Sequence, residues 1–176
     1  MDITVHETKR DFSLRALYEA LDEQRRQRQL TWADVARQVN RFRTTPRRIA
    51  ASTITGLRDK RVGEGDGILQ MLLWLGRTPE SFVPGIAHAS AERFRLPEVT
   101  DAQVLRWDTR ALFHALDAQR RERQLTWAEV AREIGGFTPG MLTGLSKGGR
   151  VGFPPVMRLV RWLDRPAVTL TRIANS

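Results

Sequence analysis

Apolar residues recur at intervals of three and four near the start of the chain. Leu14, Leu17, Tyr18 and Leu21 share one face, which predicts a helix over residues 13–29. Thr31 then stands where an N-cap belongs, with Asp34 three residues on to close a capping box. Behind the cap, Val35, Ala36 and Val39 supply the apolar face of a helix of under three turns. A break follows at Asn40, and a second short helix is read in IAASTITGLRDKR, with Ile54 and Leu57 inward. The run GILQMLLWLG, residues 67–76, predicts a core helix, and TPESF at residues 78–82 a short capped turn.

The same pattern returns. LTWADVARQV at residues 30–39 reappears as LTWAEVAREI 95 residues later, and ALYEALDEQRRQRQ as ALFHALDAQRRERQ at that spacing. ITGL at residues 54–57 answers LTGL only 88 residues later, so the first copy holds seven extra residues, within RFRTTPRR at 41–48. In the second copy Thr126 and Glu129 repeat the capping box, Val130, Ala131 and Ile134 the apolar face, and Gly135-Gly136 the break. Thr138 followed by Pro139 is a strong helix start. Trp74 and Trp162 fall at the same place in apolar helical runs and read as core. A period this long indicates tandem domains rather than a solenoid. The division is a tail at 1–11, a first domain at 12–86, a linker at 87–103 and a second domain at 104–176, with a helix starting between Thr100 and Arg106.

A short capped helix, a tight break and a second short helix make the helix-turn-helix plan. LTWADVARQV and STITGLRDKR resemble the XRE family of λ-repressor/Cro-like DNA-binding domains. Ser52, Thr53, Ile54, Thr55 and Leu57 in one copy, and Thr138, Thr143, Leu145, Lys147 and Gly148 in the other, fall on that family's pattern. The resemblance spans residues 12–85 and 107–170. It implies an all-α protein of two λ-repressor-like domains of about five helices each, arranged as a pseudo-dimer on duplex DNA. The insertion lengthens the turn and departs from the family's tight geometry.

Charge agrees with such a partner. The net charge is +9, shared as +4 over residues 1–90 and +5 over residues 91–176. Only Lys9, Lys60 and Lys147 among the 29 basic residues are lysine. Arginine matches phosphate bidentately, although an arginine bias also follows from a GC-rich genome. There is no cysteine, so neither disulfides nor Cys-based zinc sites arise. No apolar run spans a bilayer and the N-terminus has no signal-peptide pattern, so a cytoplasmic, nucleoid-associated protein is expected. His6, His88 and His114 have no metal-like spacing, and GLSKGGRVG lacks the strand-before-helix context of a nucleotide loop. No catalytic residue, metal or cofactor is expected.

In a docked helix-turn-helix the start of the second helix meets base edges and the first helix's N-terminus meets phosphate. The base-facing candidates carried over are Ala51, Ser52, Thr55 and Gly56, and Pro139, Gly140, Thr143 and Gly144, with Thr138 as cap. Phosphate candidates are Thr31 and Trp32, Thr126 and Trp127, the insertion arginines Arg41, Arg43, Arg47 and Arg48, and the basic turns Arg58, Lys60, Arg61 and Lys147, Arg150. Neither copy places Arg, Asn or Gln at a base-facing position, so direct readout is weak. Specificity then comes from flanking arginines and DNA shape, or one copy has left DNA reading for partner binding. Arg25, Arg26 and Arg28, repeated as Arg120, Arg121 and Arg123, fit either a solvated last helical turn or phosphate contacts. A homodimer of the whole chain is compatible with either reading.

Overall fold

The fold comes from a computed structural model, which describes residues 12–42, 48–84 and 93–175. Each copy of the repeat contributes four α-helices among these residues: α1 (Leu14–Gln27), α2 (Trp32–Val39), α3 (Ala51–Thr55) and α4 (Gly65–Leu75), then α5 (Thr109–Glu122), α6 (Trp127–Ile134), α7 (Pro139–Gly144) and α8 (Pro155–Leu163). Single 3-10 turns, Pro79–Phe82 and Ala167–Leu170, stand where the resemblance implies a fifth helix.

The all-α expectation is corrected by two small antiparallel sheets, which make the chain mixed α/β. β1 (Gly63–Glu64) pairs with β3 (Gly152–Phe153), and β2 (Gln103–Trp107) with β4 (Thr171–Asn175). The helix expected from Thr100 is instead β2. Its sequence QVLRW offers β-branched and aromatic side chains to a pleated, half-buried surface, and the C-terminal strand supplies a partner that local pattern cannot reveal.

Local chemistry sets the helix ends. Ser13 Oγ accepts the Ala16 amide at 3.1 Å to start α1. At α2 the Asp34 amide donates to Thr31 Oγ1 at 3.2 Å while the Thr31 amide donates back to Asp34 Oδ2 at 2.9 Å. Thr126 and Glu129 make the same exchange at α6, at 3.2 and 2.7 Å. Thr138 caps α7 through the Met141 amide.

Within each copy the same packing recurs at matching positions. The Gln24 and Gln119 amides donate to the carbonyls of Trp74 and Trp162 at 3.0 and 2.8 Å. The indole N–H groups of these tryptophans donate in turn to Gln38 Oε1 at 2.8 Å and Glu133 Oε2 at 2.9 Å. Both tryptophans are half-buried, at the edge of the core and not inside it.

The two copies share one core. β1 and β3 occupy the same place in the repeat, between the turn after the second short helix and the core helix. They pair with each other, Gly63 with Phe153 and Glu64 with Gly152. A segment laid antiparallel on its own counterpart is the relation that a local twofold axis produces. Phe153 is fully buried there, its ring 4.7 Å from Phe12 and 5.5 Å from Trp107. Phe12 and Trp107 are counterparts, one from each copy. Gly65 makes room on the other side: a Cβ would lie 2.3 Å from the Val151 carbonyl oxygen and 3.0 Å from the Trp107 ring. Polar bonds complete the seam, from the Gln70 amide to the Leu105 carbonyl at 2.8 Å and from the Trp107 amide to Asp66 at 3.0 Å. Of the segment read as a linker, residues 87–92 lie outside the described residues, Leu96 is buried and Gln103 begins β2.

Candidate nucleic-acid interface

The second short helix of each unit is held on the first by buried apolar residues. Ile54 and Leu57, and Leu142 and Leu145, point inward, which leaves the opposite face to solvent. In the first copy that face carries Ser52 and Thr53, exposed, with Ala51 and Thr55 half-buried. In the second it carries Thr138, Pro139, Gly140 and Met141, exposed, with Thr143 half-buried. Met141 has 52 % of its surface in solvent, one of three large apolar side chains so exposed among the described residues. Residue spacing does not single out Thr53 or Met141 as outward. Facing solvent from a helix of five or six residues is a property of register, legible only once the helix start is fixed.

The two faces differ in texture. Thr55 Oγ1 donates to the Ser52 carbonyl at 3.3 Å, and Thr143 Oγ1 to the Pro139 and Gly140 carbonyls at 3.2 Å each. A Cβ on Gly144 would meet nothing within 4 Å. The second face is therefore nearly bare backbone around one methionine.

Both capping-box hydroxyls are engaged within their own helix starts. The carboxylates of Asp34 and Glu129 are held below the usual carboxylate range by hydrogen bonds from Thr31 and Thr126. Trp32 stacks on Tyr18 with centroids 5.5 Å apart, and the Arg25 guanidinium lies 4.9 Å above its ring. Trp127 does the same between Phe113, at 5.6 Å, and Arg120, at 5.0 Å. These indoles brace the helix start through their ring faces.

The arginines sort into two sets. Arg25 and Arg26 are bound to Asp22, Arg120 and Arg121 to Asp117, and Arg123 to Glu133. Arg28 and Arg123 lie over Trp74 and Trp162. The repeated arginine cluster at the end of α1 and α5 thus serves the fold. Around the second short helix, Arg48, Lys60, Arg61, Lys147 and Arg150 are exposed, and Arg58 pairs with Asp59 at 3.3 Å. Arg41 reaches Asp101 at 3.3 Å. Arg43 and Arg47 lie outside the described residues.

The insertion is closed at its base by one side chain. Asn40 Nδ2 donates to the carbonyls of Ala36 and Ile49 at 2.7 Å each, and its Oδ1 accepts the Ile49 amide at 2.7 Å. The second copy makes the same junction with Gly135 and Gly136, at φ of 76° and 74°, a left-handed backbone that glycine adopts without strain.

His114 is exposed on α5; His6 and His88 lie outside the described residues. Among the described residues no cluster of His, Asp or Glu could hold a metal, and no helix is long and apolar enough to cross a membrane. No family model, curated protein or solved structure matches the chain.

Proposed function

We propose that the chain binds duplex DNA through its two helix-turn-helix units and acts as a transcriptional regulator, repressing by steric block. One observation carries the reading. The same unit occurs twice, each time with its second short helix open to solvent and exposed basic residues in the turn that follows it, and the two units meet across an antiparallel pairing of counterpart strands. A twofold relation of this kind suits two half-sites in inverted order, and the unlike faces suit half-sites of unlike sequence. The net charge of +9 supplies long-range attraction to phosphate. Tethering makes the second contact intramolecular, so two weak readers bind well together. The reading places the protein in the cytoplasm with DNA, needs no cofactor and assigns no catalysis.

Fluorescence anisotropy of a labelled duplex, titrated from low to physiological salt with random and selected sequences, tests it. A log–log salt slope of about −5 or steeper, the signature of roughly six phosphates, with a preference above about a hundredfold supports a sequence-specific regulator. Absence of binding at low salt removes the DNA reading.

The bareness of α7 favours a second reading. With Gly140 and Gly144 on its open face, the second copy would serve as an interaction module for a protein partner or a second chain, while the first keeps DNA. Duplex binding by residues 1–176 that is unaffected by substitutions on α7 would support it.

A further inference from the structure

We infer that the β2–β4 ribbon is an additional phosphate-binding surface, through which the second copy grips the DNA backbone beside its helix-turn-helix unit. This inference rests on the DNA reading above and adds a surface outside the recognition helices.

The observation is a pair of like charges. Arg106 on β2 is registered directly opposite Arg172 on β4. Directly opposed residues point to the same face of a sheet, with Cα atoms roughly 4.5–5.5 Å apart. Both side chains are exposed, and neither makes a hydrogen bond or ion pair with any described residue. Like charges so placed oppose the pairing of the strands. The neighbours on that face are Val104 and Ala174, which offer no charge. Asp108, just past the end of β2, caps α5, its Oδ1 accepting the Ala111 amide at 2.9 Å. Two guanidinium groups held side by side without a carboxylate form a site for an external anion, and the planar fork of arginine matches phosphate oxygens.

The surface continues toward the helix-turn-helix unit. Four residues after Arg106, Arg110 lies in the first turn of α5. Its Nε is 3.2 Å from where a Cβ on Gly148 would stand, in the turn beside the exposed Lys147. Arg110 also has no carboxylate partner among the described residues. Glycine at 148 lets that guanidinium lie against the turn.

The first copy lacks the opposed arginine pair. The counterparts of Arg106, Arg110 and Arg172 are Asp11, Arg15 and Pro84, and Arg15 is paired with Glu19 at 3.4 Å. The added cations therefore belong to the copy whose recognition helix is poorest in side chains. Grip on the backbone there compensates for what α7 cannot read.

The test compares the full chain with an Arg106→Gln/Arg172→Gln double variant and an Arg172→Glu single variant in the duplex anisotropy titration. The double variant should flatten the log–log salt slope by about two, roughly 0.9 for each phosphate no longer neutralised, and leave the ratio of selected to random duplex affinity unchanged. Arg172→Glu, which turns the repulsive pair into an attractive one, should raise the thermal midpoint of the free protein while weakening DNA binding. If the full chain binds DNA and the double variant keeps its slope, the ribbon proposal is overturned and the DNA reading stands. A loss of sequence preference in the double variant also overturns it, since the ribbon would then be reading bases. If the full chain does not bind DNA at low salt, both fall together.

Discussion

Asn40 and Ile49 stand nine residues apart and are joined by two hydrogen bonds at 2.7 Å, from side chain to main chain in both directions. The Asn40 amide imitates a strand partner for Ile49, so the chain leaves α2 and re-enters before α3 at one point. Asn40→Ala strips the Ile49 amide and carbonyl of their partner in a half-buried place. It should cost about 1–3 kcal/mol, read as a lower midpoint in urea at unchanged slope.

Replacing residues 40–48 by Gly-Gly, the junction of the second copy, separates the insertion's two possible roles. If residues 41–48 contribute arginines to DNA and nothing to the core, this variant should fold with a similar midpoint and bind the preferred duplex more weakly. Unchanged affinity would show the insertion to be a surface connector.

Phe153 is the shared anchor of Phe12 and Trp107. Phe153→Ala empties a fully buried site and should cost about 3–5 kcal/mol. Gly65→Ala fails for the opposite reason. Its methyl would lie 2.3 Å from a backbone oxygen that cannot yield without parting β1 from β3, a cost of about 1–3 kcal/mol or more. Calorimetry should show one unfolding transition for the parent chain, whose copies share one core, and two for either variant.

Glu80 carries the clearest pH dependence. It is buried at the seam, its Oε1 accepting the Ala167 amide at 2.6 Å while Oε2 has no partner among the described residues. Burial pushes its carboxyl above the ordinary glutamate value, outweighing the backbone hydrogen bonds that lower it. The unfolded chain therefore releases this proton first as pH rises. Its contribution to stability is full below the ordinary glutamate value, falls as pH climbs to the raised one, and stays flat beyond. Glu80→Gln keeps an acceptor for Ala167 without the charge. It should raise the thermal midpoint at pH 7 and leave it unchanged at pH 3; an equal gain at both values would contradict the burial account.

Duplexes carrying two half-sites in inverted order should bind more tightly than the same half-sites in direct order, because the units meet through counterpart strands laid antiparallel. A gel-shift comparison at matched spacing reads this directly; equal affinity for both orders would mean that only one unit engages DNA.

Much of this is legible in the sequence. The repeat, the capping boxes at Thr31 and Thr126, the Thr138-Pro139 helix start and the inward faces of α1 and α2 follow from short-range chemistry that spacing records. The strands are not. QVLRW acquires its conformation from TRIAN at the far end of the chain, and β1 and β3 are two residues each, held by one another. Half of the site is likewise readable as candidate cations. What spacing cannot show is which arginines are spent internally: Arg25 and Arg120 brace tryptophans, whereas Arg106 and Arg110 face solvent, a division made by packing.

The pairing of β1 with β3 has a consequence for how such a protein behaves on dilution. Two separate subunits fall apart when their concentration drops below the dissociation constant, and their folding midpoint moves with concentration. Here the equivalent seam is closed within one chain, so its occupancy is set by the tether and not by copy number in the cell. Each half is also freed from having to fit a replica of itself. A glycine can then face a phenylalanine across the seam, and the open face of one second short helix can be worn smooth while the other keeps its side chains.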